Sequence, residues 1–172
     1  MPELVPVLDS EDIRRMTAAM AVRISSDYNG KDVVMVGVLK GAFVFMADLV
    51  RQLTIPVTVE FIRASSYGSG TETSGCVRLE NDQPLSLAGM SVIVVEDIVD
   101  TGLTLQCIVE HFQSLGAASV KVCTLLDKRA RRRVPIEADY ACHAAEDAFL
   151  VGYGLDYDES YRELPGIYQL QF

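Results

Sequence analysis

The chain is poor in the residues that build metal clusters: it has two histidines, His111 and His143, and four cysteines, Cys76, Cys107, Cys123 and Cys142, none spaced as a CxxC pair. That scarcity argues against a structural zinc site. Cys107 and Cys123 lie among apolar residues, and the cysteines read as reduced thiols of a cytosolic protein. Long apolar runs are also missing. No uncharged stretch approaches the roughly 20 residues of a membrane helix, and the amino-terminal MPELVPVLDSEDIRR lacks a basic region followed by an apolar one. The expectation is a soluble, cytoplasmic protein with no membrane partner. Basic residues number 15 against 24 acidic ones, for a net charge of −9. Such a balance disfavours a nonspecific nucleic-acid binder. No repeat, linker or low-complexity tract interrupts the sequence. Its 172 residues, 49% hydrophobic and 23% charged, fit a single domain over 1–172 that buries its own core.

Asp9 and Ser10 can cap a helix running through Ser25, because their oxygens satisfy free amides and Ile13, Met16, Met20 and Ile24 form one apolar stripe. Val33–Leu39 is wholly apolar and rich in β-branched residues, as a strand covered on both faces must be. AFVFMADLVRQL then predicts a helix and Val57–Ala64 a strand. Ser65–Gly75, rich in glycine and small hydroxyl residues, predicts a mobile loop able to act as a lid. Ser91–Asp97 repeats the buried-strand pattern, TLQCIVEHFQSLG is helical up to Gly116 as a left-handed cap, and VKVCTLL supplies another strand. Strands alternating with helices predict an α/β fold with a mainly parallel twisted sheet flanked by helices.

Ligands of such sheets bind beyond the carboxyl ends of the strands. Lys40, then Glu96, Asp97 and Asp100, then Lys128 stand at those ends, and Asp156 follows the late apolar run FLVGYGL. The most informative stretch is VIVVEDIVDTGLTLQ, Val92 to Gln106. Its DTGLT turn enters a helix, where free amides and the hydroxyls of Thr101 and Thr104 make an anion site suited to a phosphate monoester. A strand–DTG–helix junction is also how a plain helix cap looks. The adjacent carboxylates weigh against that alternative, since an EDxxD cluster beside an anion repels it unless a divalent cation intervenes, and magnesium suits such oxygen ligands. GSGTETSG lacks the lysine of a P-loop and GYGLDY the third glycine of a dinucleotide fingerprint.

EDIVDTGLT after an apolar strand resembles the phosphoribosyl-pyrophosphate motif of type I phosphoribosyltransferases. VLKGAFVFMADL, RASSYGSG, LLDKR and FLVGYGLDYDESYRELP are similar, in the same order, to the hypoxanthine-guanine branch of bacterial type. The resemblance runs from about Val33 to Gly166. It implies that fold, with a small hood over the active site, and transfer of a 5-phosphoribosyl group from phosphoribosyl pyrophosphate to a 6-oxopurine with Mg2+. It also implies assembly as a homodimer or homotetramer.

By that resemblance Thr101, Gly102, Leu103 and Thr104 would hold the 5-phosphate. Glu96 and Asp97 would face the ribose hydroxyls and the metal, with Asp156 as a further metal ligand. Asp100 would act as general base toward a purine ring nitrogen. Lys40, Gly41 and Arg162 would meet pyrophosphate. Lys128 would donate to the six-position oxygen, Phe149 would stack on the base, and Leu150 and Asp156 would offer backbone groups to the opposite edge. Ser66 and Tyr67 would close from the mobile loop. The residues alone permit blander readings: Phe149 as a core aromatic, Arg162 in a surface pair with Glu163, and the rest of KRARRR as a solvated face. Two stretches depart from the branch. HAAEDAF stands where relatives have an Ile-Pro-Asp turn, and Leu103 stands where some carry lysine. The rivals are a regulator of this fold that binds RNA or DNA, disfavoured by the acidic balance and by Asp100, and an enzyme of this fold acting on another nucleobase, disfavoured by Lys128 and Phe149.

Overall fold

A computed structural model describes residues 2–66, 77–81 and 83–172. In chain order these form β1 (Glu3–Leu8), α1 (Ser10–Asp27), β2 (Val33–Leu39), α2 (Phe43–Val50), β3 (Val57–Ser66), β4 (Val77–Glu80), β5 (Ser91–Val99) and α3 (Leu103–Ser114). There follow β6 (Ser119–Asp127), a 3-10 turn (Arg129–Arg131), β7 (Tyr140–Ala144), β8 (Leu150–Val151) and β9 (Ile167–Gln171). Among the described residues the larger sheet has the order β4-β3-β2-β5-β6-β7 and the smaller one β1-β9-β8. Strands β3, β2, β5, β6 and β7 are parallel, while β4 pairs antiparallel to β3.

The unbroken apolar runs have a direct cause. Successive side chains of a strand point to opposite faces, and both faces of β2 and β5 are covered. Val33 and Met35 join Ile93 and Val95 in a core with Ile13, Ile24, Phe45 and Leu49 from α1 and α2. Val34, Val36 and Val38 join Val92 and Val94 in a second core against Leu105, Ile108 and Phe112 of α3. No position is left for a polar residue until the strand ends, where the charged groups begin.

Asp9 caps α1 through a reciprocal pair, its side chain accepting from the Asp12 amide at 2.8 Å while Asp12 accepts from the Asp9 amide at 3.2 Å. The helix continues two residues past the expected Ser25, and α2 stops at Val50, short of the expected Leu53. β5 extends to Val99, so Glu96 and Asp97 belong to the strand itself. Gly116 takes the left-handed conformation expected of it, at φ 85°. β3 reaches Ser66, leaving the expected mobile loop, with Tyr67, outside the described residues. The FLVGYGL run yields only a two-residue strand, because Gly152, Tyr153 and Gly154 all take positive φ. Among the described residues no helix is long and apolar enough to cross a membrane.

Candidate active site

Four chain segments meet at the carboxyl ends of β2, β5 and β6. The first is the turn after β2, whose Leu39–Lys40 peptide is cis. A Cβ on Gly41 would run into the Asp97 carboxylate, and a Cβ on Gly154 would run into the Gly41 carbonyl oxygen. Two backbones and one carboxylate from distant parts of the chain thus pack at glycine-only distances. Lys40 Nζ lies 2.8 Å from Glu159 Oε2. Arg162, from the same turn, has Nη2 3.3 Å from Glu159 Oε1 and 3.0 Å from Asp156 Oδ1, and its Nη1 donates to the Gly154 carbonyl at 2.7 Å. Its buried Nε has no hydrogen-bond partner among the described residues. The three residues expected at pyrophosphate, Lys40, Gly41 and Arg162, therefore form one cluster with Asp156. Glu159 bridges the two cations; Glu163 does not.

The second segment is the end of β5. Glu96 is only 9% exposed. Burial, reinforced by the neighbouring Asp97 carboxylate, holds the Glu96 carboxyl well above the usual range. Burial pushes Asp97 up as well, opposed by the Ile98 amide, which donates to it at 2.7 Å, and by the charge of Arg162. Two crowded carboxyls that resist ionising together are what a divalent cation relieves, and their hard oxygen donors match magnesium. Asp156, expected as a further ligand, is instead turned to Arg162 and to the Glu159 amide, from which it accepts at 2.8 Å.

The third segment runs from Asp100 to Thr104; Asp100, Thr101, Gly102 and Thr104 line a cavity of about 160 Å3 together with Glu96 and Asp97, while Leu103 is not among its lining residues and its amide donates to Thr101 Oγ1 at 3.4 Å. Gly102 stands at φ 84°, where a Cβ would press into Arg132, Val134 and Ile136. Arg131 Nε lies 3.2 Å from Asp100 Oδ1. This is a charge contact without a directed hydrogen bond, since that oxygen is shielded from solvent and accepts none among the described residues. A larger cavity of about 460 Å3 beside α1 and α2 contains none of the expected site residues. Its arginines, Arg14 and Arg51, are already matched by Glu11 and Asp48, so size alone does not mark the site.

The fourth segment follows β6. The Lys128 amide donates to the Val99 carbonyl at 2.9 Å, tying it to the loop, and Lys128 is only 7% exposed. Its ammonium has no ion-pair partner among the described residues. Phe149 stands apart, immediately before β8 of the smaller sheet, and is 46% exposed, packed edge-on against Tyr157 at 5.4 Å and Phe172 at 6.4 Å. Leu150 begins β8, whose side away from β9 is a free sheet edge among the described residues. Ser66 ends β3, opposite Val77 of β4.

The chain matches the phosphoribosyl transferase domain family over residues 7–158. It belongs to that family. It is 42% identical over 161 residues, 94% of its length, to the hypoxanthine-guanine phosphoribosyltransferase of Streptococcus pneumoniae, of which it covers 89%. It is 42% identical over 166 residues to the enzyme of the same name from Aquifex aeolicus, covering 96% of this chain and 93% of that one. A crystal structure of a Bacillus anthracis hypoxanthine-guanine phosphoribosyltransferase superposes with a TM-score of 0.92 at 44% identity, over 97% of this chain and 99% of that one. The fold is that of type I phosphoribosyltransferases, and the protein is an enzyme of that family.

Within this phosphoribosyltransferase, reading the sequence missed Glu159, Asp127 and the arginines after Lys128. The Lys128–Arg133 run is not a uniform solvated face: the Arg129 and Arg131 side chains are 71% and 50% exposed, but that of Arg132 is 11% exposed. Acidic Asp127 immediately before a basic run was the available signal.

Proposed function

We infer that the protein transfers the 5-phosphoribosyl group of phosphoribosyl pyrophosphate to hypoxanthine, guanine or both, giving IMP or GMP and pyrophosphate in purine salvage. The observation that carries this reading is the cavity where the amides and hydroxyls of the Asp100–Thr104 loop meet the Glu96–Asp97 carboxyls. In the reaction the bond between the anomeric carbon and pyrophosphate breaks, and a bond from that carbon to a purine ring nitrogen forms. Thr101, Gly102, Leu103 and Thr104 hold the 5-phosphate through amides and hydroxyls. Asp100 takes the proton from the ring nitrogen opposite the attacking one, raising the nucleophilicity of the base. Lys40, Gly41 and Arg162 receive the departing pyrophosphate, with Lys40 and Arg162 exchanging Glu159 for its oxygens.

Glu96 and Asp97 would face the ribose hydroxyls and hold Mg2+, and Asp156, which faces Arg162, would be a further ligand. When bound, the metal offsets the charge of the leaving group. Lys128, buried and without a carboxylate partner among the described residues, donates to the six-position oxygen and so disfavours adenine, whose amino group is itself a donor. Phe149 offers an exposed ring face to the base, and Leu150 and Asp156 offer backbone groups to its edge.

The test is direct: purified protein with phosphoribosyl pyrophosphate, Mg2+ and each nucleobase in turn, following nucleotide formation. Product with hypoxanthine or guanine but not adenine is expected, and no product with any 6-oxopurine rejects the reading. We further propose a homodimer or homotetramer in the cytoplasm. Val59 and Phe61 share one face of β3 at 41% and 40% exposure. Such an exposed apolar group suits burial against a second copy. A monomer mass by light scattering counts against it.

A further inference from the structure

Arg132 makes more directed contacts than the expected site residues around it, yet neither the phosphate loop nor the purine edge needs its charge. Its Nε donates to the Asp100 carbonyl at 3.2 Å, its Nη1 donates to the Ile136 carbonyl, and its Nη2 pairs with Asp127. Asp127 is 2% exposed and also receives Arg129 Nε at 3.0 Å. One residue on, the Arg133 amide donates to the Thr101 carbonyl at 2.9 Å. Two successive carbonyls of the phosphate loop are therefore held by residues 132 and 133.

The consequence follows from peptide geometry. The bonds after Asp100 and Thr101 are trans, and in a trans peptide the N–H points opposite to the C=O. Pinning the Asp100 carbonyl toward Arg132 turns the Thr101 amide the other way, and pinning the Thr101 carbonyl toward Arg133 does the same for the Gly102 amide. Neither amide donates to any acceptor among the described residues. Both belong to residues lining the cavity. Stability alone is a weak reason to keep a buried ion pair here, since an apolar pair of similar volume often serves as well. A planar guanidinium that reaches a carboxylate and two carbonyls at once does what no apolar or single-point cation can.

We propose that Arg132, fixed by Asp127, is a positioning residue that aims the Thr101 and Gly102 amides at the sugar phosphate. The proposal rests on the reading of the Asp100–Thr104 loop as the 5-phosphate site. It makes Asp127 and Arg132 a brace between the purine strand β6 and the phosphate loop, without either touching substrate.

The experiment compares wild type with Arg132→Lys, Arg132→Met and Asp127→Asn. Ribose 5-phosphate is titrated by calorimetry, the Thr101 and Gly102 amide resonances are followed by NMR, and KM is measured for each substrate. In wild type both amide resonances move on adding ribose 5-phosphate; if they do not, the phosphate-loop reading fails, and the proposal with it. If they do, Arg132→Met is expected to weaken ribose 5-phosphate at least about tenfold and to raise KM for phosphoribosyl pyrophosphate similarly. KM for the purine should stay within about twofold, a split that a general loss of structure does not give. Arg132→Lys keeps the charge beside Asp127 but not the fork, and should recover only part of the loss. It carries the comparison if Arg132→Met does not fold. Unchanged ribose 5-phosphate affinity in a folded variant, or equal losses for both substrates alongside a lowered Tm, overturns the assignment.

Discussion

Asp100 carries a side chain that is 39% exposed, and its charge partner Arg131 is 50% exposed. Exposed pairs of this kind contribute about 0–1 kcal/mol, so the carboxylate can be replaced at little cost to the fold. Asp100→Asn is therefore expected to keep Tm within about 4 °C of wild type while kcat falls about 10²-fold or more, as loss of a general base requires. Turnover within about threefold of wild type would remove Asp100 from the chemistry. At this scale the charged residues that the structure gathers at the strand ends, Lys40, Glu96, Asp97, Asp100 and Lys128, were legible in the sequence, because strands buried on both faces leave charge only at their ends. Their supporting partners were not. Glu159 lies 119 positions from Lys40, and Arg132 differs from Arg131 and Arg133 only in the direction the chain gives it. Nothing local distinguishes such residues.

Between elements, the tightest joint is the stack of Asp97, Gly41 and Gly154. Gly154 sits at φ 98°, with the Gly41 carbonyl oxygen in the place of any Cβ. Gly154→Ala thus faces both a strained backbone and a collision with main chain, which cannot move aside as a flexible side chain would. Gly30, at φ 75° with nothing within 4 Å of a Cβ, supplies the control that isolates the strain. Gly30→Ala is expected to cost about 1 kcal/mol, and Gly154→Ala at least about 1 kcal/mol more, by urea midpoint. The displaced Lys40–Gly41 turn should also raise KM for phosphoribosyl pyrophosphate. Equal losses in the two variants would show that the turns are not packed as described. The helices and the parallel strands β2, β3, β5 and β6 were legible because their apolar patterns follow from burial on one face or two. β1, β7 and β9 were not. β1 carries Pro6 and lies at an edge of the smaller sheet, β7 ends the larger one, and β9 is a short mixed run, IYQLQ; each is specified by its neighbour more than by its own pattern.

For the molecule as a whole, stability should fall steeply in alkali, because the core beneath α1 and α2 encloses groups that must stay neutral. Cys142 of β7 packs against α1, its Sγ 3.9 Å from the Met16 carbonyl oxygen, and burial pushes its thiol from 9.0 up to about 12. Burial likewise raises Cys123 well above the ordinary range. A thiol whose folded pKa is raised holds its proton in the folded state after the unfolded chain has lost it. Its contribution is complete below about pH 9 and drains away as pH rises toward about 12. Between pH 8 and 10.5 the wild type should lose about 1 kcal/mol more stability than Cys142→Ala does over the same interval, allowing for partial exposure of the thiol. The comparison is one of slopes, since the alanine variant begins lower through its lost methylene-sized packing, about 1 kcal/mol. Urea midpoints at the two pH values measure it under reducing conditions. Parallel losses in the two proteins would mean that the thiol titrates as freely folded as unfolded, and that the contact between α1 and β7 admits water.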